Sequence, residues 1–150
     1  MKINHIQLNN FRKFQNQDFD LSENFTVFIG DNGTGKTALL DALAIGIGTL
    51  FLGFNDVDSR NIKDDEIYRI SYIKDQITTI EPQYPVRITC QALIDHNYTN
   101  LLTDPTPDIF PNSYNINWAR ELKEGSKTTT RNEAGNLIKF AKKMQEKVSQ

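Results

Sequence analysis

A single cysteine, Cys90, stands in a chain of 150 residues, and that scarcity excludes an internal disulfide and any zinc site built on cysteine. Nor does the start, MKINHIQLNN, hold the apolar stretch of a secretory leader. A reducing cytoplasm is the expected compartment. The apolar run around Leu39 to Phe54 is broken by Asp41, Gly46, Gly48 and Thr49 and is too short to read as a membrane span, so no membrane partner is expected. Charge of either sign is not in excess. Lys and Arg number 17 against 19 Asp and Glu, which argues against a generally basic nucleic-acid binder and leaves room for a local basic groove. His5 and His96 lie far apart without a cysteine or carboxylate at ligand spacing, and the acidic run DVDSRNIKDDE lacks the ligand order and glycine of an EF-hand. Neither is expected to hold a metal.

What is present suits one folded unit, because 38% apolar residues in a chain of this length can bury a core. Ile6 and Leu8 alternate with His5 and Gln7, which predicts a short strand ending in a turn at Asn9 and Asn10. A second strand is expected over Asp18 to Leu21. A third, FTVFIG from Phe25 to Gly30, is apolar on both faces, the pattern of a central buried strand. Then Leu39, Leu40, Leu43, Ile47, Leu50, Phe51 and Phe54 recur at three- and four-residue spacing and predict an amphipathic helix packed on the sheet. Residues 1–54 thus read as strands, a glycine-rich turn and a first helix, and residues 55–150 as a lobe of antiparallel strands with a terminal helix. Within that lobe Asp56 to Glu66 is expected to be a solvated connection without core. Ile67 to Ile73, Pro85 to Asp95 and Ser113 to Leu122 alternate as half-exposed strands, and the proline-rich Leu102 to Pro111 is an exposed turn region. Leu137, Ala141, Met144 and Val148 form one stripe of the last helix, with KTTT, Lys127 to Thr130, as its cap. Cys90 is expected inside, and Trp118, at an alternating strand position, in the core or on the sheet surface.

The stretch Gly30-Asp31-Asn32-Gly33-Thr34-Gly35-Lys36-Thr37 has the pattern G-x-x-x-x-G-K-[ST] of a P-loop and stands between the apolar FTVFIG run and the helix. Gly33 and Gly35 let the backbone turn tightly, so that successive amide groups through Ala38 point at phosphate oxygens and the helix N-terminus adds its partial positive charge. Lys36 reaches the terminal phosphates and is the candidate catalytic cation. Thr37 supplies a hydroxyl to Mg²⁺, a hard ion that takes oxygen ligands. ATP and Mg²⁺ are the expected ligands. Arg12 and Lys13, between Phe11 and Phe14, are an aromatic-basic pair suited to a nucleotide or nucleic acid, or a turn whose phenylalanines pack inward while the charges are solvated.

On HIQLNNFRKF, DFDL and NFTVFIGDNGTGKTALLDALAIGIG, about the first third of the chain, the sequence resembles the N-terminal part of an ABC-type ATPase head of the SMC/RecF class. Asn32-Gly33 and the leading NFRKF are more specific than the bare P-loop pattern. The resemblance implies an α/β P-loop NTPase with a mixed parallel and antiparallel sheet, and a basic residue near the nucleotide at Arg12. INWARELKEGSKTTT, Ile116 to Thr130, more loosely resembles a bacterial branch that includes ATPases of Septu-like and retron-linked antiphage systems. In this class the nucleotide is closed over by a signature segment of the LSGGQ type, and a Walker B strand ends in Asp-Glu. No such signature occurs in the sequence, and the nearest candidate for the acidic strand end is ALID, Ala92 to Asp95, with His96 at the place of the catalytic Glu.

Three functions follow. The first is the ATP-binding part of an ATPase head, a piece of a longer chain, that hydrolyses ATP as a head-to-head dimer and acts on DNA or gates an effector such as a nuclease. Its partners would be a second copy or the rest of the head. The second is a nucleotide-binding or assembly module without chemistry of its own. The third, a small P-loop kinase, needs an arginine-rich lid, whereas Arg12, Arg60, Arg69, Arg87, Arg120 and Arg131 are scattered.

Overall fold

The computed structural model describes residues 1–95 and 113–148. In chain order these form β1 (Lys2–Phe11), β2 (Phe14–Asp20), α1 (Lys36–Gly48) continued by a 3-10 segment at Thr49–Gly53, a 3-10 turn at Asp64–Glu66, β3 (Arg69–Lys74), β4 (Ile77–Pro82), β5 (Val86–Asp95), β6 (Ser113–Leu122), a 3-10 turn at Asn132–Ala134, and α2 (Gly135–Val148). The readings placed on Leu102 to Pro111 and on His96 lie outside the described residues.

β1 is the strand on which the sheet is laid. It pairs antiparallel with β2 on one side and with β5 on the other, and β5 pairs antiparallel with β6, in the order β2-β1-β5-β6. The alternation read from the sequence is the reason. Ile6 and Leu8 on β1, Val86, Ile88, Cys90, Ala92 and Ile94 on β5, and Ile116 and Trp118 on β6 are all buried on one face, and α1 and α2 pack there. Each side chain of this size removed from water contributes about 1.5–3 kcal/mol, which makes this layer the main stabilising term. β1 and β2 of residues 1–54 thus share this sheet with β5 and β6 of residues 55–150, while β3 and β4 pair in a separate two-stranded sheet.

Several expectations are corrected. β1 runs through Asn9-Asn10 to Phe11, and the turn falls at Arg12-Lys13, where Asn10 and Arg12 take left-handed backbone angles of φ 52 and 50. β2 accordingly begins at Phe14, earlier than Asp18. Ile67 makes an isolated bridge to Phe11, and the strand expected from it begins at Arg69. β4 has no counterpart in the sequence reading: it closes a hairpin with β3 through Asp75-Gln76, both with positive φ, a two-residue turn without the usual glycine signal.

The segment Phe25 to Gly30 belongs to no sheet among the described residues, and Phe25, Val27 and Ile29 are exposed at 77%, 58% and 91%. An apolar strand is buried only when strands lie on both sides of it, and β2, the nearest sheet edge, does not pair with it. The helix is also rotated from the expected stripe. Leu39 is buried with Ala38, Ala42, Ile45 and Gly46, while Leu40, Ile47 and Phe51 face outward. Small residues on the sheet side let the helix approach closely, and periodicity weights large residues. By length and composition alone Lys36–Gly53 is apolar enough to cross a membrane, yet in the fold it is the helix laid on the sheet.

The acidic connection is not devoid of core: Ile62 and Glu66 are buried, and Ile67 follows them inside. Thr129 does not cap α2. Its hydroxyl accepts the Ile62 amide at 2.8 Å, which ties the connection to the sheet. On α2, Leu137 and Ala141 are buried as expected and Met144 packs at the margin, with Phe140 added to the stripe.

Candidate functional site

The loop of residues 30–37 is held by three supports. From behind comes α1, which begins at Lys36 after Gly35 as N-cap, with no side-chain cap and no acidic residue in its first turn. The first amide groups of the helix therefore keep their uncompensated positive end, the condition under which a helix N-terminus takes an anion. From the side comes the β1–β2 tip. Gly35 has φ 109, and a Cβ there would stand 2.5 Å from the Phe14 ring and 2.9 Å from the Lys13 side chain, so only glycine fits. From within, Thr34 Oγ1 donates to the Asp31 carbonyl at 2.9 Å.

Lys36 folds back over its own loop and donates to the carbonyl oxygens of Gly30 at 2.5 Å and Asp31 at 2.7 Å. Its ammonium is thereby poised over the loop. Thr37 lies one residue on, exposed in the first helical turn. Asn32, Gly33 and Thr34 are also exposed. The donor set of backbone amides, one ammonium and one hydroxyl fits a Mg²⁺-bound polyphosphate, whose oxygens accept from amides and whose ion takes oxygen ligands. Thr34, Gly35 and Lys36 of the loop, with Phe14, Phe19 and Leu39, line a cavity of about 270 Å³.

Arg12 stands at the same tip in a network that spacing did not show. Its Nη2 lies 2.8 Å from Asp41 Oδ2 and 3.0 Å from Glu66 Oε1, and Arg60 bridges the same two carboxylates. The Arg12 amide also donates to the Glu66 carbonyl at 2.6 Å, and Glu66 accepts the Lys63 amide at 3.0 Å. The buried Glu66 and, on α1, Asp41 thus tie the hairpin tip, the helix and the acidic connection together. Arg12, Lys13, Asp65, Ile67, Tyr68 and Arg69 line an open hollow of about 630 Å³ beside the loop.

Other candidates fall elsewhere. Asp95 does not approach the loop: Lys2 pairs with Leu93 and Asn9 with Arg87, so β5 carries Asp95 to the end of the sheet away from the Phe11–Phe14 tip. At the strand rise that is about 30 Å. The absence of carboxylates near His5 is corrected, because antiparallel pairing brings Asp20 to 2.7 Å from Nδ1 and Asp18 to 3.2 Å from Nε2. The Asp20 hydrogen bond, more than that of Asp18, raises the His5 pKa against the opposing effect of burial. Among the described residues no group of His, Cys, Asp and Glu is arranged to hold a metal. Cys90 is buried, which pushes its thiol up to about 12. Trp118 is core, and its indole bonds to the helix. Arg120 is buried against Ser59 Oγ and Asn61 Oδ1, each 3.0 Å away, and burial, more than the like charge of Arg131, pulls its pKa down to about 10.

Residues 5–150 match the family model described as an AAA domain (AAA_23). Curated relatives include the DNA replication and repair protein RecF of Actinobacillus pleuropneumoniae serotype 5b (strain L20), 46% identical over 43 residues, which are 29% of this chain and 12% of that protein. RecF of Clostridium botulinum (strain Eklund 17B / Type B) is 38% identical over 69 residues, 45% of this chain and 19% of the relative. The similarity to these proteins thus spans less than a fifth of their length. A solved structure described as "Structural biochemistry of ATP-driven dimerization and DNA stimulated activation of SMC ATPases" superposes with a TM-score of 0.46 at 16% identity, covering 96% of this chain and 80% of that one.

Proposed function

The chain belongs to the AAA domain family, and on that premise we propose that it is the ATP-binding lobe of an SMC/RecF-like ATPase head. The observation that carries this reading is the uncapped N-terminus of α1 with Lys36 folded over the loop. In it the amides of Asp31 to Ala38 cradle the phosphates, Lys36 neutralises the terminal ones, Thr37 gives its hydroxyl to Mg²⁺, and Gly30 and Arg12 complete the walls. Mg²⁺ held there would supply charge neutralisation on the phosphate oxygens and would orient the polyphosphate. The protein groups bind and align; hydrolysis needs an acid to position water, which Asp95, at the far end of β5, is badly placed to do.

ATP would then join this lobe to a second copy or to the rest of a head, and the assembled head would act on DNA or gate an effector such as a nuclease, in the cytoplasm, with antiphage defence as the setting supported by the Ile116 to Thr130 resemblance. The position of Asp95 also favours a second reading, a nucleotide-dependent assembly module without its own catalysis. Calorimetric titration with Mg²⁺-ATP tests the site. Lys36→Ala should lower affinity at least tenfold, about 1.4 kcal/mol. Equal affinity of both forms rejects the loop as the site.

A further inference from the structure

Two adjacent cations at the β1–β2 tip are used differently. Arg12 has its guanidinium held by Asp41 and by the buried Glu66. Lys13 is exposed and pairs with no carboxylate among the described residues; its ammonium donates instead to the carbonyl oxygen of Gly33, 2.6 Å away, and its stem lies against Gly35. Among the described residues, Lys13 and Lys36 are the two side-chain cations that donate to carbonyls of the 30–37 loop. A cation bonded to a neutral carbonyl, beside a helix N-terminus with no acidic residue in its first turn, gains by exchanging that acceptor for an anionic one, because a phosphate oxygen offers it a full opposite charge where a carbonyl offers only a dipole.

We propose that Lys13 is a second phosphate-contacting cation of the nucleotide site, approaching from the hairpin while Lys36 approaches from the helix. When the polyphosphate enters, the Lys13 ammonium passes from the Gly33 carbonyl to a phosphate oxygen, and Lys13 closes the side of the cradle that faces the open hollow. The hairpin tip is suited to this because Glu66 and Asp41 hold Arg12 in place and leave the neighbouring residue free to reach the loop. Lys13 then adds a second charge at the tip, beside an Arg12 whose guanidinium is already engaged by two carboxylates. The inference rests on the reading of the loop as the ATP site.

The test is titration of wild type, Lys13→Gln, Lys13→Arg and Lys36→Ala with Mg²⁺-ATP, and with inorganic tripolyphosphate as competitor. Lys13→Gln should weaken ATP about tenfold and tripolyphosphate by a similar factor, and Lys13→Arg should recover most of both, since what is lost is one charged hydrogen bond. Thermal melting of the ligand-free Lys13→Gln protein should match wild type. An unchanged ATP affinity in Lys13→Gln, with the expected loss in Lys36→Ala, overturns the role of Lys13 and leaves the site standing. A loss for ATP without one for tripolyphosphate also overturns it, because Lys13 would then contact the nucleoside. No difference between wild type and Lys36→Ala overturns both readings.

Discussion

The indole N–H of Trp118 on β6 donates to the carbonyl oxygen of Gly46 in α1, 3.0 Å away, and at that same residue the helix lies so close to β5 that a Cβ on Gly46 would stand 2.5 Å from Cys90 Sγ. The rear of the helix is fixed by these contacts, and its front carries Lys36. Gly46→Ala should therefore cost about 1–3 kcal/mol through overpacking, read as a lower urea midpoint. Cys90→Ala in the same chain makes room, and the double variant should be more stable than the sum of the two single losses implies. Strict additivity would show that the close approach is not the cause.

Glu66 should be among the most sensitive polar positions. Glu66→Ala takes the buried carboxylate from between the Arg12 and Arg60 guanidinium groups, leaves them to share Asp41, and removes the acceptor of the Lys63 amide. The expected loss is about 3 kcal/mol, as for one partner removed from a buried pair. A loss below about 1 kcal/mol would place this network with ordinary surface pairs.

Thr37→Val keeps shape and deletes the hydroxyl. ATP affinity should fall in the presence of Mg²⁺ and stay nearly unchanged with a chelator, because Thr37 serves the ion. Equal losses in both conditions would mean damage to the loop itself.

The His5 pair gives a pH dependence with a definite sign. Asp20 and Asp18 raise the folded-state pKa above the unfolded value of 6.5, so the pair contributes its full stability below that value and loses it as pH rises through the folded pKa. Wild type should thus exceed His5→Gln in stability by more at pH 5.5 than at pH 8, with an exposed-pair magnitude below about 1 kcal/mol. A constant difference across that range would sink the assignment.

Steady-state phosphate release by the chain alone, at saturating Mg²⁺-ATP, should be no faster than that of Lys36→Ala, because binding groups are local to the loop and Asp95 lies at the other end of the sheet. The outward Leu40, Ile47 and Phe51, with Phe25, Val27 and Ile29, should also make the chain self-associate, measurable by light scattering. Robust turnover lost in Lys36→Ala would return attention to an acid within these residues.

Local signals were legible where chemistry is local. The P-loop pattern needs only consecutive residues and an adjacent helix, and period-two alternation on β5 and β6 follows from one buried face. Contacts made by chain reversal were not legible. Arg12 meets Glu66 and His5 meets Asp20 only because strands and connection fold back, and no spacing rule reaches from residue 12 to residue 66. Phe25 to Gly30 misled for the complementary reason: its composition is that of a buried strand, but burial depends on neighbours that the segment does not itself contain. The helix stripe failed at Gly46, where the residue nearest the sheet is the one that hydrophobicity counts least.

The central place of β1 also has a consequence in time. Its partner β2 follows within a few residues, but its other edge is closed only by β5, which begins at Val86. On a chain made at about 5–20 residues per second, the nascent hairpin waits for several seconds with a row of open amides and carbonyls. Lys2, His5, Gln7 and Asn9 are set along that waiting edge, and the polar and charged groups among them are the kind that discourage a neighbouring nascent chain from pairing there first.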